Sequence, residues 1–230
     1  MKVYQEKLNF LLNKYQVEKK VILKNYTCAE MDGKEIPLLS HRSERRFIEL
    51  KKLVQDETVK GVSAFRISDI TNKGVDLNKL LYKELDLCMW ILDSKIVSVC
   101  TMENGNVQNT IARTKSGVVC TIEIAATLED WVKPIDKHEI ISERGIACDK
   151  VVDTQITQSS IYLYGKEKKE FTDTDFELYG LEADEVAMVR HAFEIARDNK
   201  TEENLAADKV LKELISKSEE SVKLCERMDV

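Results

Sequence analysis

The stretch that decides the fold reads Tyr82-Lys83-Glu84-Leu85-Asp86-Leu87-Cys88-Met89-Trp90-Ile91-Leu92. Apolar residues recur through it and just before it at steps of four, four, three and four, at Leu77, Leu81, Leu85, Cys88 and Leu92. This spacing places them on one stripe of a helix, which must pack against an apolar surface. From Ile96 to Thr127 the chain changes to period-two patterns and tight turns. We therefore expect the helix to lie on an antiparallel sheet built by the residues that follow it.

The sheet is predicted from a series of strand patterns. Asn104-Gly105 is a two-residue hairpin signal that joins a strand over 96–103 to one over 106–113. The next strand, Val118–Thr127, alternates so that its apolar side chains share one face, namely Val118, Cys120, Ile122, Ile124 and Ala126. Further strands are predicted at Val21–Leu23, Ile36–Leu39, Val62–Ile70, His138–Ile141, Ala147–Thr157 and Ser160–Tyr164.

Helical patterns flank these strands. A short helix is predicted at the amino terminus, and Ser43 is expected to cap another that turns Phe47 and Leu50 inward. A helix over 182–199 and a long one capped by Thr201 close the chain. The sequence therefore predicts an α+β fold, with an open-faced, mainly antiparallel sheet covered on one face by helices.

Composition excludes several classes of protein. The 230 residues are 43% hydrophobic, enough for a packed core, and the formal net charge of −6 disfavours nucleic-acid binding. One local basic run is mixed with Glu44 and Glu49 and is interpreted as a solvated helix face rather than an anion site; its members are Arg42, Arg45, Arg46, Lys51 and Lys52.

The sequence also predicts a cytoplasmic protein with no membrane partner. Residues 1–15 are too polar for a signal peptide, and no segment approaches ~18 uninterrupted apolar residues. The six cysteines are widely spaced without a C-x-x-C pair, which favours reduced core thiols over disulfides or zinc.

Motifs for cofactor and metal chemistry are not found. No two glycines are spaced as G-x-G, so no dinucleotide or Walker loop is predicted, and we expect no cofactor in the isolated chain. The three histidines are far apart and give no metal-ligand spacing. We interpret His191 as a solvated surface residue and His138 as structural, which leaves His41 as the histidine worth testing.

The central helix carries the densest polar cluster near the expected core. Lys79, Lys83 and Asp86 can share a helix face, and Glu84 lies beside them. They form either an exposed ladder of ion pairs or a site for an anionic or hydroxylated ligand, and the sequence leaves both open. Lys79, Lys83, Asp86 and His41 are therefore the candidate substrate-binding residues, with no catalytic or metal residue assigned.

The order of the motifs resembles the carboxy-terminal domain of the glucose-fructose oxidoreductase, inositol dehydrogenase and rhizopine-catabolism (Gfo/Idh/MocA) family. The residues that carry it are Arg46-Phe47, Val59-Lys60-Gly61-Val62, Lys83-Glu84-Leu85-Asp86-Leu87 with Trp90 and Leu92, Lys115-Ser116-Gly117-Val118, Ile161-Tyr162-Leu163-Tyr164 and Glu177-Leu178-Tyr179-Gly180. This resemblance covers Ile36 to Glu226. It implies a domain of this type over 36–230, preceded over 1–35 by a helix and a short strand interpreted as a remnant of the Rossmann domain, most of which is missing.

Departures from the family pattern bear on activity. The resemblance places Lys83 where the active enzymes have a histidine and Lys79 where they have an aspartate, while Asp86 matches. Lys24-Asn25-Tyr26 corresponds to the family's Glu-Lys-Pro segment, which puts Asn25 in the place of the lysine that assists hydride transfer.

Together these features lead to one preferred hypothesis about function and two alternatives. The preferred one is a non-catalytic or non-autonomous relative of NAD(P)-dependent sugar and polyol dehydrogenases, which forms a homodimer, or a hetero-oligomer with a dehydrogenase, through its sheet face. The alternatives are a binder or enzyme for a sugar acid or polyol phosphate with a rebuilt cleft, and one half of a split oxidoreductase. NAD(P) is expected only if a partner supplies the Rossmann domain.

Overall fold

The computed structural model describes residues 1–149, 160–164, 168–172 and 175–230, with side chains everywhere except in the two short internal ranges. The helices are α1 (Lys2–Lys14), α2 (Arg45–Gln55), α3 (Leu77–Leu92), α4 (Ala183–Asp198) and α5 (Thr201–Leu224), and a 3-10 turn spans Ser40–Ser43. The strands are β1 (Val21–Asn25), β2 (Cys28–Met31), β3 (Lys34–Pro37), β4 (Val62–Asn72), β5 (Ile96–Asn104), β6 (Val107–Thr114), β7 (Val119–Leu128), β8 (Ile135–Ser142), β9 (Gly145–Cys148), β10 (Ser160–Tyr164), β11 (Lys168–Thr172) and β12 (Met228–Asp229).

Helix α3 is the predicted central helix and lies in the core. It begins at Leu77, where the Asp76 carboxylate accepts a hydrogen bond from the backbone N–H of Asn78 at 2.9 Å. It ends at Asp93, whose backbone is left-handed with φ 46°. The apolar side chains of this helix are buried against α2, α5 and the sheet, and they include Leu81, Leu85, Leu87, Cys88 and Ile91.

A seven-stranded sheet has the order β12-β5-β6-β7-β4-β8-β9. Every neighbouring pair is antiparallel except β4 and β7, which run parallel. Strand β4, which precedes α3 in the chain, lies between β7 and β8 and runs parallel to β7. All the other pairs are antiparallel, so the sheet is mainly antiparallel, as predicted. The α+β class is confirmed.

The hairpin between β5 and β6 differs slightly from the prediction. Asn104 pairs with Val107, so the turn residues are Gly105 and Asn106 rather than Asn104 and Gly105. Gly105 has φ 61°, whereas Asn106 does not have a positive φ. Glycine is needed at the first turn position, where φ is positive. The type I′ turn, which requires positive φ at both turn positions, is not formed.

The two faces of the sheet differ in burial. The helix-covered face includes the predicted apolar side of β7, and Val118, Cys120, Ile122, Ile124 and Ala126 are all buried. The other face, which we name the open face, carries large apolar side chains that remain exposed at Met102, Val107, Ile111, Val119 and Ile135. Charged residues such as Arg66 and Glu139 are mixed among them.

A second apolar core lies beside the first. It is formed by α1, the three-stranded antiparallel sheet β1-β2-β3 and α4, with Leu8, Leu11, Ile36 and Phe193 at its centre. The interpretation of residues 1–35 as a Rossmann remnant stays a prediction.

Several local expectations were wrong. Ser43 does not cap α2, because the residue before the helix is Glu44 and the Ser43 hydroxyl bonds to α4 instead. β10 does not continue the main sheet but pairs with β11 in a sheet of two strands. The predicted strand over Ala147–Thr157 is β9 as far as Cys148, and its part from residue 150 onward lies outside the described residues. No helix in the described part of the chain is long and apolar enough to span a membrane.

Candidate functional site

Charged side chains converge on two sides of helix α3. The group that we name the Lys83 cluster joins α3, β4, β8, α2 and the end of β9 and consists of Lys83, Glu84, Asp69, Asp136, His138, Asp149 and Arg46. The Asp86 cluster joins α3 to the 3-10 turn and α5 and consists of Asp86, His41, Arg42 and Glu203. Arg42 lies in the 3-10 turn and Arg46 at the start of α2, so one short segment supplies an arginine to each cluster.

Lys83 lies at the centre of its cluster. Its Nζ donates hydrogen bonds to Asp69 Oδ2 at 3.1 Å and Asp136 Oδ2 at 3.2 Å, and it lies 3.0 Å from Glu84 Oε1. The ammonium group therefore has three carboxylates around it. Burial alone would lower the pKa of Lys83, but these carboxylates outweigh burial and raise that pKa above its usual value. Lys83 stays cationic and cannot accept a proton from a substrate at neutral pH.

His138 lies between two carboxylates and is entirely buried. Its Nε2 is 2.8 Å from Glu84 Oε2, and its Nδ1 is 2.8 Å from Asp149 Oδ2. Because ionised carboxylates only accept hydrogen bonds, both ring nitrogens carry protons. Burial opposes this charge, but Glu84 and Asp149 prevail and raise the pKa of His138 to about 9.

Arg46 closes the Lys83 cluster on the side of α2. It donates to Asp136 Oδ2 at 2.6 Å, to Asp149 Oδ2 at 3.1 Å and to Glu44 Oε2 at 2.8 Å. Its guanidinium also lies 4.2 Å from the centre of the Phe47 ring. Arg46 thereby uses its charge, its hydrogen-bond donors and its flat face within the protein.

The acids of this cluster titrate differently. Burial would raise the pKa of Glu84, but Lys83 and His138 lower it to about 2. At Asp69 burial prevails over the attraction of Lys83 and raises the pKa to about 6. At neutral pH, the charge of Asp69 is thus held at a net cost to the stability of the fold.

Asp86 is fully buried between Arg42 and His41. Arg42 donates to both of its oxygens, from Nε to Oδ2 at 2.8 Å and from NH2 to Oδ1 at 2.6 Å. His41 Nε2 donates to Oδ2 at 2.6 Å. Burial opposes ionisation, but His41 and Arg42 lower the pKa of Asp86 to about 2, so the carboxylate stays charged and is fully engaged.

Next to this cluster, a chain of hydrogen bonds joins the 3-10 turn to α4 and α5. The Ser43 hydroxyl donates to Glu194 Oε2 at 2.9 Å and lies 3.1 Å from His191 Nδ1. His191 Nε2 is 3.1 Å from Asn204 Oδ1, to which it donates. Burial lowers the pKa of His191 to about 3, so this imidazole is neutral. The interpretation of His191 as a solvated surface residue was wrong.

The structure places the four candidate binding residues in three different settings. His41 and Asp86 are in direct contact, as the geometry above describes. Lys83 belongs to the other cluster and does not join them. Lys79 lies on the exposed side of α3. Thus the exposed ladder of ion pairs is wrong for Lys83 and Asp86, whose charges are paired inside the protein.

The basic run before α2 was also misjudged. Arg42 and Arg46 are not solvated, because each is paired with buried carboxylates. Sequence reasoning missed Asp69, Asp136 and Asp149, which come from strands far apart in the chain. The available signal was the placement of Asp69 among apolar residues of a strand, where a charged side chain needs a partner.

One group of side chains has the composition of a metal site. Glu84, Asp136 and His138 each offer a ligand atom, and these atoms lie within 4.8 Å of one another. No metal-ligand spacing in the sequence predicts this group, because it is assembled by tertiary contacts. The Lys83 ammonium already contacts the two carboxylates, and both nitrogens of His138 donate hydrogen bonds. The cations of the protein itself therefore occupy the positions that a metal ion would need.

No family model and no curated protein matches this sequence. Solved structures with a similar fold include the myo-inositol dehydrogenase of Corynebacterium glutamicum, at 13% identity and a TM-score of 0.61, covering 84% of this chain and 63% of that one. An oxidoreductase domain protein of Kribbella flavida is 13% identical with a TM-score of 0.63, covering 84% and 64%. The myo-inositol dehydrogenase of Lactobacillus casei, solved with NAD(H) and myo-inositol, is 14% identical with a TM-score of 0.59, covering 84% and 60%.

This chain therefore spans less than two thirds of the length of those proteins. At such low identity the likeness establishes a shared fold. The fold expected from the order of the motifs is confirmed.

Proposed function

We propose that this chain, which has the fold of the Gfo/Idh/MocA-type dehydrogenases, is a substrate-domain-like protein that does not transfer hydride by itself and that assembles through its open face. The observation that carries the proposal is the state of Lys83. Resemblance puts this residue where the active enzymes have a histidine, and its ammonium is held by three carboxylates.

The chemistry of hydride transfer from a polyol supports this proposal. Oxidation of an alcohol needs a group that can accept the hydroxyl proton, and such a base works best with a pKa near the operating pH. Lys83 has a raised pKa and no lone pair to offer. Asp86 is ionised but already accepts hydrogen bonds from Arg42 and His41. Both positions act as structural ion pairs.

The open face supports the assembly half of the proposal. Ile111 is 46% exposed and Met102 is 61% exposed, and they lie on neighbouring strands of the same face. Exposed apolar side chains grouped on one sheet face are typical of an interaction surface. A second copy of this chain is the default partner, since symmetric dimers are the commonest assembly, and a longer dehydrogenase is the alternative.

The catalytic half is tested by calorimetric titration of the pure chain with NADH and NADPH. We expect no saturable heat, and no oxidation of myo-inositol or other polyols when the coenzyme is added. Micromolar affinity for either coenzyme, or turnover of any polyol, would refute this half of the proposal.

Assembly is tested by sedimentation velocity over a range of concentrations. We expect the wild type to form dimers or larger species and Ile111→Glu to shift them to monomers, because the substitution places a charge in the apolar part of the open face. Phe10→Glu is the matched control, since Phe10 is also about half exposed but lies on α1. A monomeric wild type at all concentrations would contradict assembly with itself and leave a longer dehydrogenase as the partner, to be sought by co-purification.

One observation favours a second candidate, a binder of a sugar acid or polyol phosphate. His41 is held by Asp86 through one ring nitrogen, and within the described residues its other nitrogen has no hydrogen bond. A histidine oriented by a buried carboxylate is a common arrangement in binding and catalysis. A melting-temperature screen with such ligands tests it. A shift that is abolished in His41→Gln and Lys83→Ala would favour this candidate over the first.

Location and cofactor follow from the same proposal. We place the protein in the cytoplasm, which is supported by the thiols of Cys88 and Cys120, buried in the core without a disulfide. NAD(P) enters the function only through a partner that supplies a nucleotide-binding domain. If such a partner exists, the chain is one half of a split oxidoreductase.

A further inference from the structure

A depression of about 290 Å³ lies at one corner of the seven-stranded sheet. It is bounded by β5, by the turn between β6 and β7, and by the short last strand β12. The pairing of β5 with β6 shifts register between Ile96 and Ser98, and such a bulge bends the strand and redirects its side chains. The depression is lined by Val97, Ser98, Arg113, Lys115, Arg227 and Asp229, among others.

The charge of this lining is positive, although the chain as a whole has a formal net charge of −6. Arg227 lies 3.1 Å from Asp229, so these two charges offset each other. Arg113 and Lys115 form no ion pair with any residue that the structure describes. Most arginines elsewhere in the chain, such as Arg42 and Arg46, are paired with carboxylates. Two uncompensated cations therefore face one concave surface.

Ser98 adds an independent observation. This residue is only 6% exposed and lines the depression. Its hydroxyl forms no hydrogen bond with the described part of the protein. The hydroxyl oxygen still reaches solvent, so water or a ligand can supply its hydrogen-bond partner. Ser98 thus offers a donor beside the two cations.

We propose that this depression is a binding site for a phosphate monoester. Arginine matches two phosphate oxygens at once, lysine supplies a compact point charge, and a hydroxyl can donate to a third oxygen. A phosphate monoester carries between one and two negative charges at neutral pH and so suits two free cations. A water molecule takes about 30 Å³ of liquid volume, so the depression has room for phosphate and for part of the group that carries it. The site is separate from the Lys83 and Asp86 clusters and lies at the corner of the open face, where Ser98 pairs with Arg113.

The test is calorimetric titration at low ionic strength with inorganic phosphate and with glycerol 3-phosphate. We expect saturable binding with a dissociation constant in the millimolar range or below. Replacing both cations, as Arg113→Met with Lys115→Met, should raise the dissociation constant at least about tenfold, and Ser98→Ala should raise it by a smaller factor. Both cations are exposed and outside any ion pair with described residues, so these variants should keep the fold, which their urea midpoints will verify.

Arg66→Met is the matched control, because Arg66 is a cation on the same open face but belongs to an ion pair with Glu139. Phosphate affinity should be unchanged in this variant. The proposal is overturned if no saturable binding is found, if Arg66→Met weakens binding as much as the double variant, or if acetate competes as well as phosphate. Each of these results would mean that the depression responds to general charge rather than to a phosphate group.

Discussion

His138 on β8 and Glu84 on α3 form an ion pair inside the core, with 2.8 Å between Nε2 and Oε2 and both side chains fully buried. The pair joins the sheet directly to the helix that covers it. His138 also donates to Asp149 at the end of β9, so one imidazolium ties together three elements. The burial of such a group is favourable only while the histidine carries its charge.

Stability should therefore fall as the solution becomes alkaline. The folded-state pKa of His138 is about 9, above its ordinary value of about 6.5 in an unfolded chain. A raised pKa means that the stabilisation is complete below pH 6.5 and is lost as the pH rises through 9. The difference corresponds to about 3 kcal/mol. Urea unfolding at half-unit steps from pH 6 to pH 10 will measure it.

His138→Gln is the comparison for this measurement. It keeps a side chain of similar size that can donate a hydrogen bond but cannot titrate, so its free energy of unfolding should be lower at pH 6 and flatter between pH 6.5 and 9. An alkaline loss of equal size in wild type and variant would show that other groups are responsible.

The charge of Asp69 should have the opposite effect from the charge of His138, because it lowers the free energy of unfolding. Burial raises its pKa to about 6, so its contribution is most favourable below pH 4 and declines as the pH rises through 6. The shift corresponds to a loss of about 3 kcal/mol at neutral pH. Asp69→Asn removes this titration, and Lys83 keeps Glu84 and Asp136 as partners.

The free energy of unfolding of Asp69→Asn, relative to wild type, should thus increase by about 3 kcal/mol between pH 4 and pH 7. Asp130→Asn changes an exposed carboxylate and should run parallel to wild type over the same range. A constant difference between Asp69→Asn and wild type would mean that Asp69 is not strained by burial.

The apolar pattern of α3 could be predicted from the sequence, whereas the charged partners of this helix could not. The stripe from Leu77 to Leu92 and the alternation in β7 are local patterns, and both were correctly assigned because side-chain period follows directly from backbone geometry. The partners of Lys83 are not local. Asp69 and Asp136 lie on adjacent strands, paired with each other in the β4–β8 register, and only the tertiary fold brings them to the helix.

The same reasoning accounts for the errors at Arg42, Arg46 and His191. Charged and polar residues were assigned to the surface by type, but a buried charge is stable when partners satisfy it, and partners cannot be identified from residue type alone.

The second core had a weak local signal as well, because β1, β2 and β3 are only four or five residues long.

Lys83 and Lys79 provide a direct comparison of a buried and an exposed cation on one helix. Lys83→Met should destabilise the protein by roughly 3–5 kcal/mol, because three carboxylates, of which Asp69 and Glu84 are buried, lose a shared cation. Lys79→Met should change the free energy of unfolding by less than about 0.5 kcal/mol, since Lys79 is on the surface. Urea titrations at pH 7 measure both. Equal, small effects would mean that Lys83 is solvated and available to a ligand.

In the Asp86 cluster, the interaction energy between Asp86 and Arg42 can be measured separately from the cost of burying the two charges. Asp86→Ala leaves Arg42 and His41 without their carboxylate and should cost about 3–5 kcal/mol. Glu49→Gln, which breaks an exposed pair with Lys52, should cost less than about 0.5 kcal/mol.

Removing both partners, as Asp86→Leu with Arg42→Met, leaves no unpaired charge in that pair. The double variant should therefore be more stable than Asp86→Ala, and the coupling energy from the full cycle of Asp86→Leu and Arg42→Met should exceed about 1 kcal/mol. Additive effects in that cycle would indicate that Asp86 is stabilised by His41 instead, and His41→Gln would then be the damaging substitution.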